Sequence, residues 1–231
     1  MTFETPKPGL PSPHIMVRRI QGEDLAGAAS LHRQVFADYF LAHLGQGFLQ
    51  RFYREFVERP GNYGSVAIHG DRPIGVVVGT ADADAFYSQF YSCNLVATIL
   101  VFLKRFAADP YIRRNCMARM PHVRRALRSV VRHLRGSTPV GTPSTLPLPA
   151  RLLSIAVDPD FRGQDLAEEL VDHFCQQLMQ NGVGAVGLSV RADNGRAIAF
   201  YERTGWQRTE ATDTTIQYSR STQPHHSAES K

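Results

Sequence analysis

Residues 152–170 read LLSIAVDPDFRGQDLAEEL, and this stretch decides the fold. It opens with an apolar run that has the length and composition of a buried strand, which Asp158-Pro159 ends because proline has no N–H to donate to a sheet. From Asp165 onward apolar residues recur at helical spacing, so a turn containing Arg162-Gly163 joins the strand to a helix. Such a helix start presents unpaired N–H groups to an anion. The pattern fits a phosphate-binding turn or an ordinary connection with a surface arginine.

A second stretch, from residue 183 to residue 206, narrows these alternatives. Residues 183–191 (VGAVGLSVR) predict another strand, and residues 196–203 predict a short helix that ends before Gly205. Together the two stretches resemble the GNAT family of N-acetyltransferases over residues 152–206. The first matches that family's acetyl-CoA motif, a strand ending in V-D-P followed by R-x-x-G-x-G/A. The second, N-G-R-A-I-A-F-Y-E-R-T-G-W, matches N-x-x-A-x-x-F-Y-x-x-x-G-F/W.

The resemblance implies a fold and a reaction. The fold is the α/β acyl-CoA N-acyltransferase fold, a twisted and mostly antiparallel sheet flanked by helices, here with a helical insertion between the third and fourth strands. The reaction is direct transfer of an acetyl group to the amine of a small-molecule or sugar acceptor in a ternary complex. Acetyl-CoA is the acyl-donor co-substrate, and no metal is implied.

The resemblance also assigns residues to the site. Tyr201 falls on the family's tyrosine position and is the implied general acid. Asn194 hydrogen-bonds the arm of the coenzyme, caps the following helix, or does both. The general base stays unassigned between a water chain, Asp193 and a group from the first half of the chain. The implied coenzyme-binding residues are Ile155, Ala156, Val157, Arg162, Gly163, Gln164, Asp165, Leu166, Ala167 and Asn194.

Asp165 departs from the family pattern, which has a glycine at this position. Its carboxylate favours the helix dipole but repels a pyrophosphate if it points inward. We expect ordinary backbone angles at this residue, because aspartate tolerates the left-handed region less well than glycine does.

Composition fits an enzyme of this kind. The chain has 231 residues, 43% hydrophobic and 20% charged, which suits one domain with a sizeable core and an insertion. The first residues lack the pattern of a signal peptide, and no apolar run approaches the ~18 residues that span a membrane. Three cysteines without C-x-x-C spacing predict neither a disulfide framework nor a zinc site, and His32, His43 and His69 also lack ligand spacing. We predict a cytoplasmic enzyme.

The remaining chain is predicted in order. Residues 1–13 form a flexible leader, residues 14–220 a single domain and residues 221–231 a disordered tail. Tyr39 and Phe40 lie where acceptors enter the resembling family, although core packing is the favoured interpretation. The predicted elements outside the two motifs are a strand at 15–20, a helix after Asp24, a helix over 45–59, a hairpin of strands 65–69 and 74–80, and a last strand at 214–219.

Residues 81–149 depart from the family. An aromatic and apolar part (residues 86–106) precedes a basic amphipathic helix, and a Pro-rich linker (residues 136–149) follows. This insertion carries more net positive charge than the +5 of the whole chain. The alternatives are a lid over an anionic acceptor, a dock on an acidic membrane surface, and a helical cap or dimer contact; cap or lid is favoured.

The basic insertion bears on partners as well. No nucleic-acid-binding module is visible, so specific nucleic-acid binding is not predicted. Two alternative functions stay open: a degenerate acetyltransferase fold that serves as an interaction module, and an acetyltransferase docked on an anionic membrane. The predicted oligomeric state is a monomer or a homodimer.

Overall fold

The computed structural model describes residues 14–90 and 150–223 of the chain. In this part, seven strands form one sheet in the order β1-β2-β3-β4-β5-β7-β6, and every neighbouring pair is antiparallel except β4 and β5. The strands are β1 (Ile15–Arg19), β2 (Asn62–His69), β3 (Arg72–Thr80), β4 (Arg151–Val157), β5 (Ala185–Arg191), β6 (Gln207–Ala211) and β7 (Thr215–Ser221).

Helices cover both faces of the sheet. On one face, α1 and α3 share an apolar core with the start of α4, where Phe86 and Phe90 contact Phe52. On the other face, α5 and α6 enclose a second core that contains Phe174, Tyr201 and other buried residues. The helices are α1 (Leu25–Val35), α2 (Phe40–His43), α3 (Gln46–Glu58), α4 (residues 83–90), α5 (Leu166–Gln180) and α6 (Gly195–Arg203).

The architecture confirms the predicted fold class. The predicted strands and helices lie within a few residues of the observed ones, and the chain between β3 and β4 is long, as expected. Of the predicted insertion, the structure describes only residues 81–90, so its basic helix and Pro-rich linker lie outside the described residues, as do the leader and residues 224–231. No helix in the described ranges has the length and apolar character needed to cross a membrane.

Two predictions about the C-terminal part are wrong. Strand β6 was missed, because all five of its residues are exposed and no alternation marks it. The predicted tail begins too early, since β7 runs to Ser221. Thr222 is also buried, and its hydroxyl donates to the carbonyl of Val183 at 2.6 Å.

His32 is the buried histidine between α1 and α3. Its Nδ1 and the hydroxyl of Tyr53 are 2.9 Å apart, and the Tyr53 hydroxyl also bonds the side chain of Ser154 on β4. His32 is therefore a core histidine whose Nδ1 has a hydrogen-bond partner. Burial lowers its pKa to about 4.

We expect stability to depend on pH through His32. Between its unfolded pKa of ~6.5 and its folded value of about 4, the unfolded state binds more protons, so the free energy of unfolding falls as pH falls through this window. The expected loss of unfolding free energy through His32 totals about 3 kcal/mol, and the contribution of this residue does not change with pH above the window. Urea unfolding from pH 4 to pH 8 measures this slope. His32→Gln should reduce the slope to the smaller part due to His173, whose pKa burial also lowers; an unchanged slope would contradict the assignment.

Candidate functional site

Strand β4 pairs with β3 along its length on one side, but with β5 at only one register position on the other. It follows β3 along its length, with a bulge at Leu153, since Val78 faces Ser154 while Gly79 faces Leu152. Its parallel pairing with β5 consists of a single register pair, Arg151 with Gly187. From residue 152 onward, this edge of β4 has no partner strand in the described part of the chain. An edge of this kind offers N–H and C=O groups to an extended molecule.

The turn after β4 is anchored to the β2–β3 hairpin. Asp158 is fully buried, its N–H donates to the carbonyl of Ile74 at 2.8 Å, and its carboxylate forms an ion pair with Arg72. The same carboxylate accepts a bond from the N–H of Asp160 at 3.1 Å. The aspartate of the V-D-P sequence therefore fixes where the turn begins.

Asp165 is the N-cap of α5, and the expectation of ordinary backbone angles there is wrong. Its φ of 56° and ψ of 4° place it in the left-handed region, where it is the one non-glycine residue among those described. Gly163 is also left-handed, with a φ of 78°. The chain thus keeps the glycine-type geometry of the motif, which aspartate adopts more readily than most residues.

The N–H groups of Leu166 and Ala167 at the start of α5 are available to an anion, whereas that of Glu168 donates to the carbonyl of Asp165 at 2.9 Å. The side chain of Asp165 is exposed and makes no capping bond to this helix. The first turn of a helix leaves its N–H groups without intrahelical acceptors, and they carry the positive end of the helix dipole. The turn and helix start can therefore bind a phosphate group through the backbone.

Two arginines add positive charge beside this turn. The Nε of Arg162 donates to the carbonyl of Val157 at 3.3 Å, which places the guanidinium at the end of β4. Desolvation lowers the pKa of Arg162, and the positive charge of Arg196 on α6 adds to this shift, so the two charges are near enough to interact. Arg196 was missed by the sequence analysis, although it stands inside the N-G-R-A motif. Two neighbouring cations favour a polyanionic ligand.

Helix α6 carries the other two predicted site residues. The side-chain oxygen of Asn194 accepts a bond from the N–H of Ala197 at 3.2 Å, so this residue does cap the helix. Tyr201 is 6% exposed, and its ring lies 5.5 Å from that of Trp206 and 5.8 Å from that of Tyr218. Burial raises the pKa of Tyr201, which keeps the phenol protonated.

Asp193, one candidate for the general base, is engaged elsewhere. Its carboxylate accepts bonds from both Nε and Nη2 of Arg191. The bond from Arg191 is the main cause that lowers the pKa of Asp193, which makes it a weak base.

Tyr39 is not packed in the core, so the favoured interpretation of core packing is wrong for this residue. It is 37% exposed, and it lies between the ring of Phe36 at 5.3 Å and the guanidinium of Arg191 at 5.7 Å. The segment between α1 and α2 therefore reaches across to the end of β5. The side chain of Phe40 lies outside what the structure describes.

Comparison with known sequences agrees with this geometry. The sequence model of the acetyltransferase (GNAT) family matches residues 106–206. The [ribosomal protein bS18]-alanine N-acetyltransferase of Escherichia coli K12 is 46% identical over 57 residues, which are 25% of this chain and 38% of that protein. The chain therefore spans about two fifths of that relative's length. The enzyme of the same name from Salmonella typhimurium LT2 matches to the same extent.

Solved structures share the fold over almost the whole chain. The structure of SsHAT has a TM-score of 0.59 at 22% identity, covering 92% of this chain and all of that one. The ribosomal-protein-S18-alanine N-acetyltransferase of E. coli has a TM-score of 0.52 at 16% identity, covering 93% and 98%. The PaiA N-acetyltransferase of Thermoplasma acidophilum, in complex with coenzyme A, has a TM-score of 0.53 at 11% identity, covering 90% and 99%. The chain is thus similar in sequence to the GNAT acetyltransferase family over residues 106–206, and it shares the fold of these solved acetyltransferases.

Proposed function

We propose that this protein is an acetyl-CoA-dependent N-acetyltransferase. The observation that carries the proposal is the unpaired edge of β4, which leads directly into the left-handed turn and the start of α5. A pyrophosphate fits the N-terminus of a helix, and an amide-bearing arm fits an open strand edge. One ligand of this shape, a pantetheine linked to a pyrophosphate, satisfies both features at once.

Each site residue takes a role from its position. Residues 162–167 hold the pyrophosphate, with Arg162 and Arg196 as its cations, and the backbone of residues 155–157 pairs with the pantetheine arm. The bound thioester supplies the acetyl group. Tyr201 holds a proton for the departing thiolate, because its raised pKa keeps it protonated. Since Asp193 is a weak base, removal of the amine proton falls to a water chain or to a group from the first half of the chain.

The proposed acceptor is an amine. The bacterial relatives are named for an alanine of a ribosomal protein, which makes an α-amino group a reasonable first acceptor class to test. Both alternative functions rely on the basic insertion, most of which lies outside the described residues, and no described feature favours them. The cytoplasmic location stays a prediction.

Calorimetric titration with acetyl-CoA tests the proposal. We expect micromolar binding by the native protein and a loss of about tenfold to a hundredfold in Arg162→Ala, because a charge-assisted bond to phosphate is worth about 1.5–3 kcal/mol. Arg33→Ala removes an exposed arginine from α1 and should leave binding unchanged. Absence of binding by the native protein would refute the proposal.

A series at Asp165 separates its charge from its backbone geometry. Asp165→Asn removes the carboxylate but keeps a side chain that accepts left-handed angles, so it should tighten binding several-fold if the charge repels phosphate. Asp165→Gly should bind at least as tightly. Asp165→Ala removes the charge yet disfavours the left-handed backbone by about 1 kcal/mol, so it should bind more weakly than Asp165→Asn. Equal affinity in all four proteins would show that this residue does not affect the phosphate site.

A further inference from the structure

Arg151 is a buried arginine at the point where β4 and β5 meet. Its side chain lies against Gly187, its partner in the single register pair, and a methyl group at position 187 would collide with Nη1. The residue is 4% exposed, and its Nη2 donates to the hydroxyl of Ser189 on β5 at 2.8 Å. Its Nη1 is buried and has no hydrogen-bond partner among the described residues.

No described carboxylate forms an ion pair with Arg151. Burial lowers the pKa of its guanidinium, and the interaction with Tyr87 offsets this only in part. A guanidinium stays protonated in proteins, and a buried charge without a partner costs several kcal/mol. The position therefore suits an anion that arrives with a ligand.

Gln217 supplies a buried acceptor beside this donor. It is the register partner of Ser189 on β7, so the two side chains lie on one face of the sheet. Its Nε2 donates to Glu210 at 2.7 Å, which fixes the orientation of the amide and leaves Oε1 buried without a partner. One face of the β4–β5–β7 junction thus holds an unused donor of positive charge and an unused neutral acceptor.

The junction lies at the acyl end of the proposed coenzyme site. With the pyrophosphate at the turn after Val157, an arm that pairs with the open edge runs back toward Leu152. Five residues of strand span about 17 Å. The acyl end of an arm that pairs with residues 155–157 therefore points along this edge toward Arg151 and Gly187, where β5 closes the gap.

We propose that Arg151, with Ser189 and Gln217, forms the acceptor subsite and binds a carboxylate carried by the amine acceptor. This inference rests on the proposed function and adds the substrate class. Arg151 Nη1 donates to the carboxylate, while Gln217 Oε1 accepts from a donor on the acceptor molecule. In the reaction, the acceptor nitrogen bonds to the acetyl carbon and loses a proton, the carbon–sulfur bond breaks, and the thiolate takes a proton.

Matched acceptors test the inference. Acetyl-CoA binding is first measured by calorimetry, and its absence would refute the proposed function and this inference with it. Acetyl transfer is then measured for γ-aminobutyrate against 4-aminobutanamide, L-alanine against L-alaninamide, and the amidated peptides Ala-Glu against Ala-Gln. We expect kcat/KM to favour the carboxylate by about 100-fold in at least one pair, and the pair identifies a free amino acid or an acidic peptide as the source.

Three variants test whether Arg151 causes the preference for an acceptor that carries a carboxylate. In Arg151→Gln the preference should fall to less than threefold, without loss of stability, because an unpaired buried charge has been removed. Gly187→Ala keeps the charge but displaces the guanidinium, so it should lower the preference as well. Arg33→Gln, which removes an exposed charge, should leave it intact.

Two results would overturn the inference. One is a native enzyme that acetylates neutral amines as well as their carboxylate partners. The other is an Arg151→Gln variant that keeps the full preference. In the second case, an accompanying loss of stability would indicate a carboxylate of the protein as the partner of Arg151.

Discussion

Tyr201→Phe is expected to lower kcat for acetyl transfer by about 100-fold or more while leaving KM for acetyl-CoA nearly unchanged. General acid catalysis contributes about 10²–10⁴ to a rate, and the substitution removes only the hydroxyl that would protonate the leaving thiolate. The ring contacts with Trp206 and Tyr218 are retained, so the fold should be unaffected. Steady-state kinetics with a saturating amine measure the effect.

The control for this prediction is the neighbouring tyrosine. Tyr218 has its ring 5.8 Å from that of Tyr201, and its hydroxyl donates to Glu202 at 3.0 Å. Tyr218→Phe should therefore keep kcat within a few-fold of the native value. Because burial raises the pKa of Tyr201, the native enzyme should show no alkaline loss of kcat due to this group up to pH 10. A kcat in Tyr201→Phe within threefold of native would rule out its role as the acid.

Gly79→Ala is expected to destabilise the protein by about 3 kcal/mol or more. A methyl group there would lie 2.5 Å from the ring of Phe174 and 3.0 Å from Cα of Leu152, and it would collide with the carbonyl oxygen of Arg151. Two of these three atoms belong to the backbone of β4, so the strand itself must shift. Urea denaturation, compared at equal m-value, measures the loss.

Gly47→Ala is the matched control for this substitution. Gly47 is exposed within α3 and has open space around it, so alanine should raise stability by about 0.5–1 kcal/mol. A Gly79→Ala protein as stable as native would mean that β4 moves freely at the bulge. In that case the strand would be too mobile to define the site.

The sequence predicted the elements whose residues carry a repeating pattern. The buried strand β4, the amphipathic α5 and the motif of α6 all show such patterns, and the order of elements followed from them. Strand β6 has no buried face, so its pairing with β7 comes from tertiary structure that no local pattern records.

The site was predictable only in part. Arg162 and the turn could be proposed from the sequence because a phosphate-binding helix start depends on local geometry. Arg151 and Gln217 could not be proposed from it, because their relation depends on register across three strands. The left-handed angles of Asp165 were misjudged since the energetic preference of one residue was overridden by the turn that the rest of the motif imposes.

The single register pair between β4 and β5 also bears on the protein's solubility. The open edge of β4 has the same donors and acceptors that promote association between chains when a strand is left uncovered. A coenzyme bound along that edge would occupy these donors and acceptors, and so prevent peptides and other copies of the chain from pairing with the strand.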